Sequence, residues 1–71
     1  MNRLSPKKLL NSKWTAVRPV NKEKHFIDVE VEFDELGNVE LCTIQAAMTK
    51  RSFDIDWRSL KCREDWLVGW Q

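Results

Sequence analysis

The chain is poor in the residues that punctuate or staple small proteins. Two Gly and two Pro in 71 residues are too few for a collagen-like or low-complexity polymer. Two Cys and one His cannot build a disulfide framework or a four-ligand zinc site from protein alone. The longest apolar runs are Leu9-Leu10, Ala46-Ala47-Met48 and Trp66-Leu67-Val68. None approaches the ~20 residues that span a bilayer, and no membrane association is expected. Positions 1–15 are basic and lack the apolar stretch of a signal peptide. An excess of one sign of charge is also missing, because 12 Lys+Arg face 11 Asp+Glu. The resulting pI of about 7.8 lies below that of a dedicated nucleic-acid binder. The length allows a single small domain, residues 1–71. The expectation is a cytoplasmic, mainly β domain without cofactor or metal.

What the chain does have is tryptophan. Four Trp (14, 57, 66 and 70) and three Phe (26, 33 and 53) are its largest side chains. Each Trp can remove ~200 Å² from water, so their first role is to fill a core that a short chain otherwise lacks. A fully buried indole also needs a partner for its N–H, and four are hard to hide in one small domain.

The near-zero net charge conceals a segregation. Residues 1–24 carry Arg3, Lys7, Lys8, Lys13, Arg18, Lys22 and Lys24 against Glu23, a balance of +6. Residues 25–42 carry Asp28, Glu30, Glu32, Asp34, Glu35 and Glu40 with no Lys or Arg, a balance of −6. Residues 43–71 balance at +1.

The patterning reads as a small curled antiparallel meander of about four strands, near 14–17, 25–34, 39–48 and 53–57. Short helical turns are expected at the N-terminus and in the C-terminal tail. Ser5-Pro6 suits a helical start, with Ser at the cap and Pro at the first position. Residues 14–17 read as a strand ended by Pro19. Along 25–34, His25, Ile27, Val29, Val31 and Phe33 alternate with Phe26, Asp28, Glu30, Glu32 and Asp34. The apolar set is expected to face inward and the acidic set outward. A loop at 35–38 then pairs Val31 with Cys42, Val29 with Ile44 and Ile27 with Ala46. A one-residue slip would place Thr43 and Gln45 opposite the inward residues. A second hairpin with Lys50-Arg51 at its tip pairs Met48 with Phe53, Ala46 with Ile55 and Ile44 with Trp57. The N-terminal segment and the tail must cover the apolar face. Trp66 and Trp70, four apart, would share one helical face there, although Gly69 argues against a long helix.

Several stretches are also familiar as a set. Ser5-Pro6-Lys7-Lys8-Leu9-Leu10, Ser12 to Val17, Pro19 and Asn21 to Phe26 resemble the opening of a bacterial family of small tryptophan-rich proteins. Thr49-Lys50-Arg51, Asp56-Trp57-Arg58 with Leu60, and Trp66 to Trp70 resemble its closing signature. The similarity covers nearly the whole chain. It implies a bacterial, cytoplasmic protein and supplies no activity, because the family has no assigned function.

The residues argue against catalysis. His25 is the only histidine, it is expected to face inward, and no nucleophile signature surrounds any serine. Cys42 reads as a small buried hydrophobe. Cys62, between Lys61 and Arg63, is the one candidate reactive group. The acidic row is expected to be compensated by Lys13, Arg18, Lys22 or Lys24 lying across it, the alternative being an acidic face kept for a partner. Two binding functions remain. The first is a protein-interaction or assembly module, docking a protein partner or a second copy through an exposed Trp/Arg edge. Its candidate residues are Trp14, Lys7, Lys8, Lys13, Arg18, Arg51, Arg58, Trp66 and Trp70. The second is a weak single-stranded nucleic-acid module using the basic segment 1–24 and Trp14 as a stacking platform.

Overall fold

The structure, a computed structural model, describes residue 2 and residues 4–71. Arg3, counted above in the basic block, lies outside the described residues. The chain forms one antiparallel sheet of β1 (Lys13–Val20), β2 (Glu23–Phe33), β3 (Val39–Ala46), β4 (Ser52–Asp54) and β5 (Trp66–Val68), in the order β4-β3-β2-β1-β5. Two short 3-10 segments, Pro6–Lys8 and Trp57–Lys61, complete it. The mainly β, antiparallel meander read from the sequence is therefore present, with a fifth strand added. Among the described residues no helix is long and apolar enough to cross a membrane.

Local chemistry explains each turn. Val20 pairs with Glu23 across Asn21 and Lys22, whose φ angles of 56° and 62° make a two-residue hairpin of the kind that matches strand twist. β1 thus runs through Pro19 instead of ending there. The ladder between β1 and β2 is irregular between Thr15 and Val20, and β5 pairs only with residues 14–16. Proline is tolerated at such an open, irregular stretch because no ladder bond needs its missing N–H. Ser5 occupies the cap position of the first 3-10 turn, but its hydroxyl makes no capping bond. Its carbonyl instead accepts from Lys8 N–H at 2.9 Å.

The expected inner face of β2 is half right. Val31 pairs with Cys42 as expected, but not through the 35–38 loop alone: Phe33 pairs with Val39, and an irregularity at Glu40 restores the register. Beyond Val31, Asp28 pairs with Ile44 and Glu30 with Thr43, so Val29 is the extra residue of a bulge. The bulge reverses the alternation. Phe26 and Asp28 point into the core at 4% and 0% exposure, whereas Val29 is 40% exposed. Ile27 consequently lies on the opposite face and is half-buried.

The second hairpin is also displaced. Ile44 pairs with Phe53 and Gln45 with Ser52, so the connection spans residues 47–51 and Met48 is left exposed. Trp57 begins a 3-10 helix instead of ending a strand, with Asp56 capping it through its carboxylate. Trp66 and Trp70 do not share a helical face. Trp66 lies on β5, and Gly69, at φ +79°, turns the chain so that Gln71 N–H reaches Thr15 Oγ1 at 2.9 Å.

The core sits where the N-terminal segment and the second 3-10 helix cover one half of the sheet. Leu9, Trp14, Cys42, Ile44 and Leu60 are at most 2% exposed there. Asn2 ties the two lids together, its Nδ2 donating to Leu60 O and Trp66 O at 2.8 Å each.

Candidate functional site

Residues paired directly across an antiparallel ladder share a face. Ala16 pairs with Trp66, Phe26 with Ala46, and Ile44 with Phe53, so these side chains belong to the same face as the core. The lids cover only part of that face. Beyond them the sheet carries an open cleft of about 230 Å³. Phe26 is its floor, meeting Trp66 edge-on at 5.3 Å and Phe53 at 6.0 Å between centroids. Ala16 and Val20 line one side. The volume lies below the ~300–1,000 Å³ of small-molecule and cofactor pockets, and suits one or two inserted side chains.

Two arginines flank this aromatic floor. Arg51 reaches back across the β3–β4 connection to Glu23, donating from Nε at 3.1 and 3.2 Å and from Nη2. Its guanidinium also lies 5.0 Å from the Phe53 ring centre. Glu23 is buried and also accepts from Thr49 Oγ1. The bonds from Arg51 and Thr49 hold its carboxyl below the usual carboxylate range, against the opposing effect of burial. On the other wall Arg18 Nη2 donates to Asp65 Oδ1 at 2.7 Å, and that bond lowers the Asp65 carboxyl. The Arg18 side chain is 76% exposed, so this pair is weakly held and keeps guanidinium donors to spare.

Among the sequence candidates, Arg18, Arg51 and Trp66 converge on this cleft. The others disperse. Trp14 is 2% exposed, its indole N–H given to Ser12 Oγ at 2.8 Å, so it fills the core and offers no stacking surface. Lys13 and Trp70 lie on the opposite face, the ammonium 5.0 Å from the indole centre and His25 stacked on the same ring at 5.7 Å. His25 is therefore directed away from the core rather than inward; its Nε2 donates to Gln71 O at 2.8 Å. Lys7 and Lys8 are exposed on the first 3-10 turn and Arg58 on the second. Glu23, Phe26, Phe53 and Asp65 escaped the sequence reading. The contiguous Asn21-Lys22 turn, which folds Glu23 back beside Val20, was the one local signal for any of them.

The expected compensation of the acidic row does not occur. Asp28 is buried, and the ion pairs among the described residues are Arg18–Asp65 and Arg51–Glu23. Asp28 Oδ2 accepts from the Cys42 thiol at 2.9 Å, while Oδ1 has no partner. Burial raises the Asp28 carboxyl, opposed by that thiol and by the Glu30 backbone N–H, and burial beside Asp28 raises the Cys42 thiol strongly. Cys42 is thus inert, and Cys62 is a free, exposed thiol.

Fold and site together define a small single-sheet β protein with a rimmed aromatic cleft at one end. Residues 12–71 match the family described as Tryptophan-rich protein (DUF2389), and the chain belongs to that family. No curated protein and no solved structure matches it.

Proposed function

We propose that this protein is a non-catalytic binding module of the bacterial cytoplasm that docks a protein through the Arg18–Trp66–Arg51 cleft. The observation that carries the reading is the cleft at the end of the core face that the lids do not reach. Phe53 and Trp66 are half-buried there over the buried Phe26, Val20 is exposed beside them, and two arginines anchored by carboxylates flank the set. Tryptophan and arginine around an apolar floor are the residues that concentrate binding energy at protein interfaces. Free thiols at both cysteines suit a reducing compartment.

The nucleic-acid alternative loses its platform with the burial of Trp14 and keeps an exposed indole at Trp70, beside Lys13. A photo-reactive side chain at Val20, which is 70% exposed beside the cleft, separates the two readings in the native cell. Adducts that are protease-sensitive, resist nuclease and are lost with Arg18→Glu are expected. Nuclease-sensitive adducts, or equal capture from Asp54 on the other face, would overturn the reading.

A further inference from the structure

The cleft lies at one end of an elongated molecule, and the other end carries its complement. The molecule measures 37 × 25 × 15 Å, and an eleven-residue strand such as β2 accounts for the long dimension at ~3.3 Å per residue. At the far end of β2 the hairpin to β3 presents Leu36 at 87% exposure. This tip is built rather than loose. Asp34 Oδ1 accepts from the N–H groups of Leu36 and Asn38 at 2.9 Å each. Gly37, at φ +84°, donates to the Asp34 carbonyl at 3.0 Å. A single exposed leucine is ordinary; a leucine held by a preorganised turn costs little further entropy on docking.

Charge completes the match. Glu30, Glu32, Asp34, Glu35 and Glu40 surround the hairpin end, and none has an ion-pair partner among the described residues. Lys7, lining a crevice with Phe33 and Gly37, is the described cation beside that tip. Around the cleft end stand Arg18, Lys22, Lys24, Lys50 and Arg51, against Glu23 and Asp65, which the two arginines already occupy, and Glu64, so cations predominate.

We propose that the cleft receives the β2–β3 hairpin tip of a second copy of this chain, Leu36 against Val20, Phe53 and Trp66 and Glu35 against Arg18. The inference rests on the cleft being a protein-docking surface. Because β2 holds tip and cleft at opposite ends, one copy cannot fill its own cleft. The contact is heterologous and propagates head to tail. Opposed charge at the two ends makes the assembly salt-sensitive.

Sedimentation velocity of the full chain tests this. The expected result is a sedimentation coefficient that rises with concentration at low salt and returns to the monomer value at high salt. Leu36→Lys is expected to weaken association about tenfold or more, as is the double variant R18E/V20E, whose altered side chains are exposed. Both are first checked for a native circular dichroism spectrum. The decisive result is the mixture. One intact hairpin meets one intact cleft, so the two variants together give a dimer and nothing larger. A wild-type monomer at every concentration overturns the proposal, as does association that either variant leaves intact. If the monomer result comes with Val20 adducts to a different protein, the self-docking inference fails while the docking function stands. If those adducts are nucleic acid, both fail.

Discussion

A carboxyl group whose one side-chain partner is a thiol is an expensive thing to bury. Asp28 is 0% exposed, Cys42 donates to one of its oxygens, and the other is unpaired. Its carboxyl titrates above the ordinary value of 3.8, burial being the larger cause. The folded state therefore holds the Asp28 proton more tightly than the unfolded chain does. Its contribution to stability is complete below that ordinary value and is lost as pH rises through the folded pKa. Asp28→Asn is expected to flatten this loss: thermal melts from acidic to neutral pH should show a smaller fall than wild type. Parallel curves would show that Asp28 is not the titrating group. Cys42→Ala removes the side-chain donor and is expected to cost about 1–3 kcal/mol in urea unfolding. That cost should shrink in the Asp28→Asn background, because the two groups are coupled. Asp28→Lys, harmless on a solvated acidic row, is expected to be severely destabilising at this buried position.

At the level of elements, the two hairpins that close the cleft end depend on backbone conformations their sequences do not favour. Lys22 sits at φ 62°, where a side chain costs about 1 kcal/mol or more that glycine avoids. Lys22→Gly creates an Asn-Gly turn and is expected to stabilise the protein by about that amount in urea titration; a loss would mean the Lys22 side chain holds the hairpin. In the β3–β4 connection Glu23 gathers Thr49 and Arg51. Glu23→Gln is expected to speed amide hydrogen exchange at Lys50, whose N–H bonds to Ala46 O across that loop. Unchanged exchange would place the restraint in the backbone bonds alone.

The same elements show what could be read in advance. The Val31–Cys42 pairing followed from hydrophobic alternation, whereas the loop closes one residue earlier, with Phe33 opposite Val39, and an irregularity at Glu40 makes up the difference. The bulge at Val29 did not follow, since Ile27, Val29 and Val31 alternate as a regular strand would. One inserted residue changes which face is buried without changing composition. β5 is three residues long, too short to show a period, and its pairing with β1 is nonlocal. The cleft was legible only as residue types. Arg18, Arg51 and Trp66 were chosen for their chemistry, but their meeting depends on β1 lying between β2 and β5. Aromatic content could not tell a buried indole from a half-exposed one: Trp14 and Trp66 differ by which part of the face the lids reach.

The whole molecule is a charge dipole whose acidic pole is formed by one hairpin. Side chains alternate along a strand, so neighbouring carboxylates on one face are ~7 Å apart. The screening length falls from about 30 Å at 0.01 M salt to about 8 Å at 0.15 M. Repulsion among Glu30, Glu32, Asp34, Glu35 and Glu40 is thus felt fully at low salt and much less at moderate salt. The two ion pairs at the opposite pole respond in the other direction, but Arg51 is bonded to the buried Glu23 and is less open to screening. At a protein concentration low enough to keep the chain monomeric, sodium chloride is therefore expected to raise the urea midpoint. The double variant E32Q/E40Q is expected to start higher and respond less, each relieved repulsion contributing about half a kcal/mol. The proposed head-to-tail contact has the opposite salt dependence, since there the poles attract. A monomer that loses stability as salt is added would show the hairpin carboxylates to be engaged in attractive pairs, and the acidic pole would then have no free charge to offer a neighbouring copy.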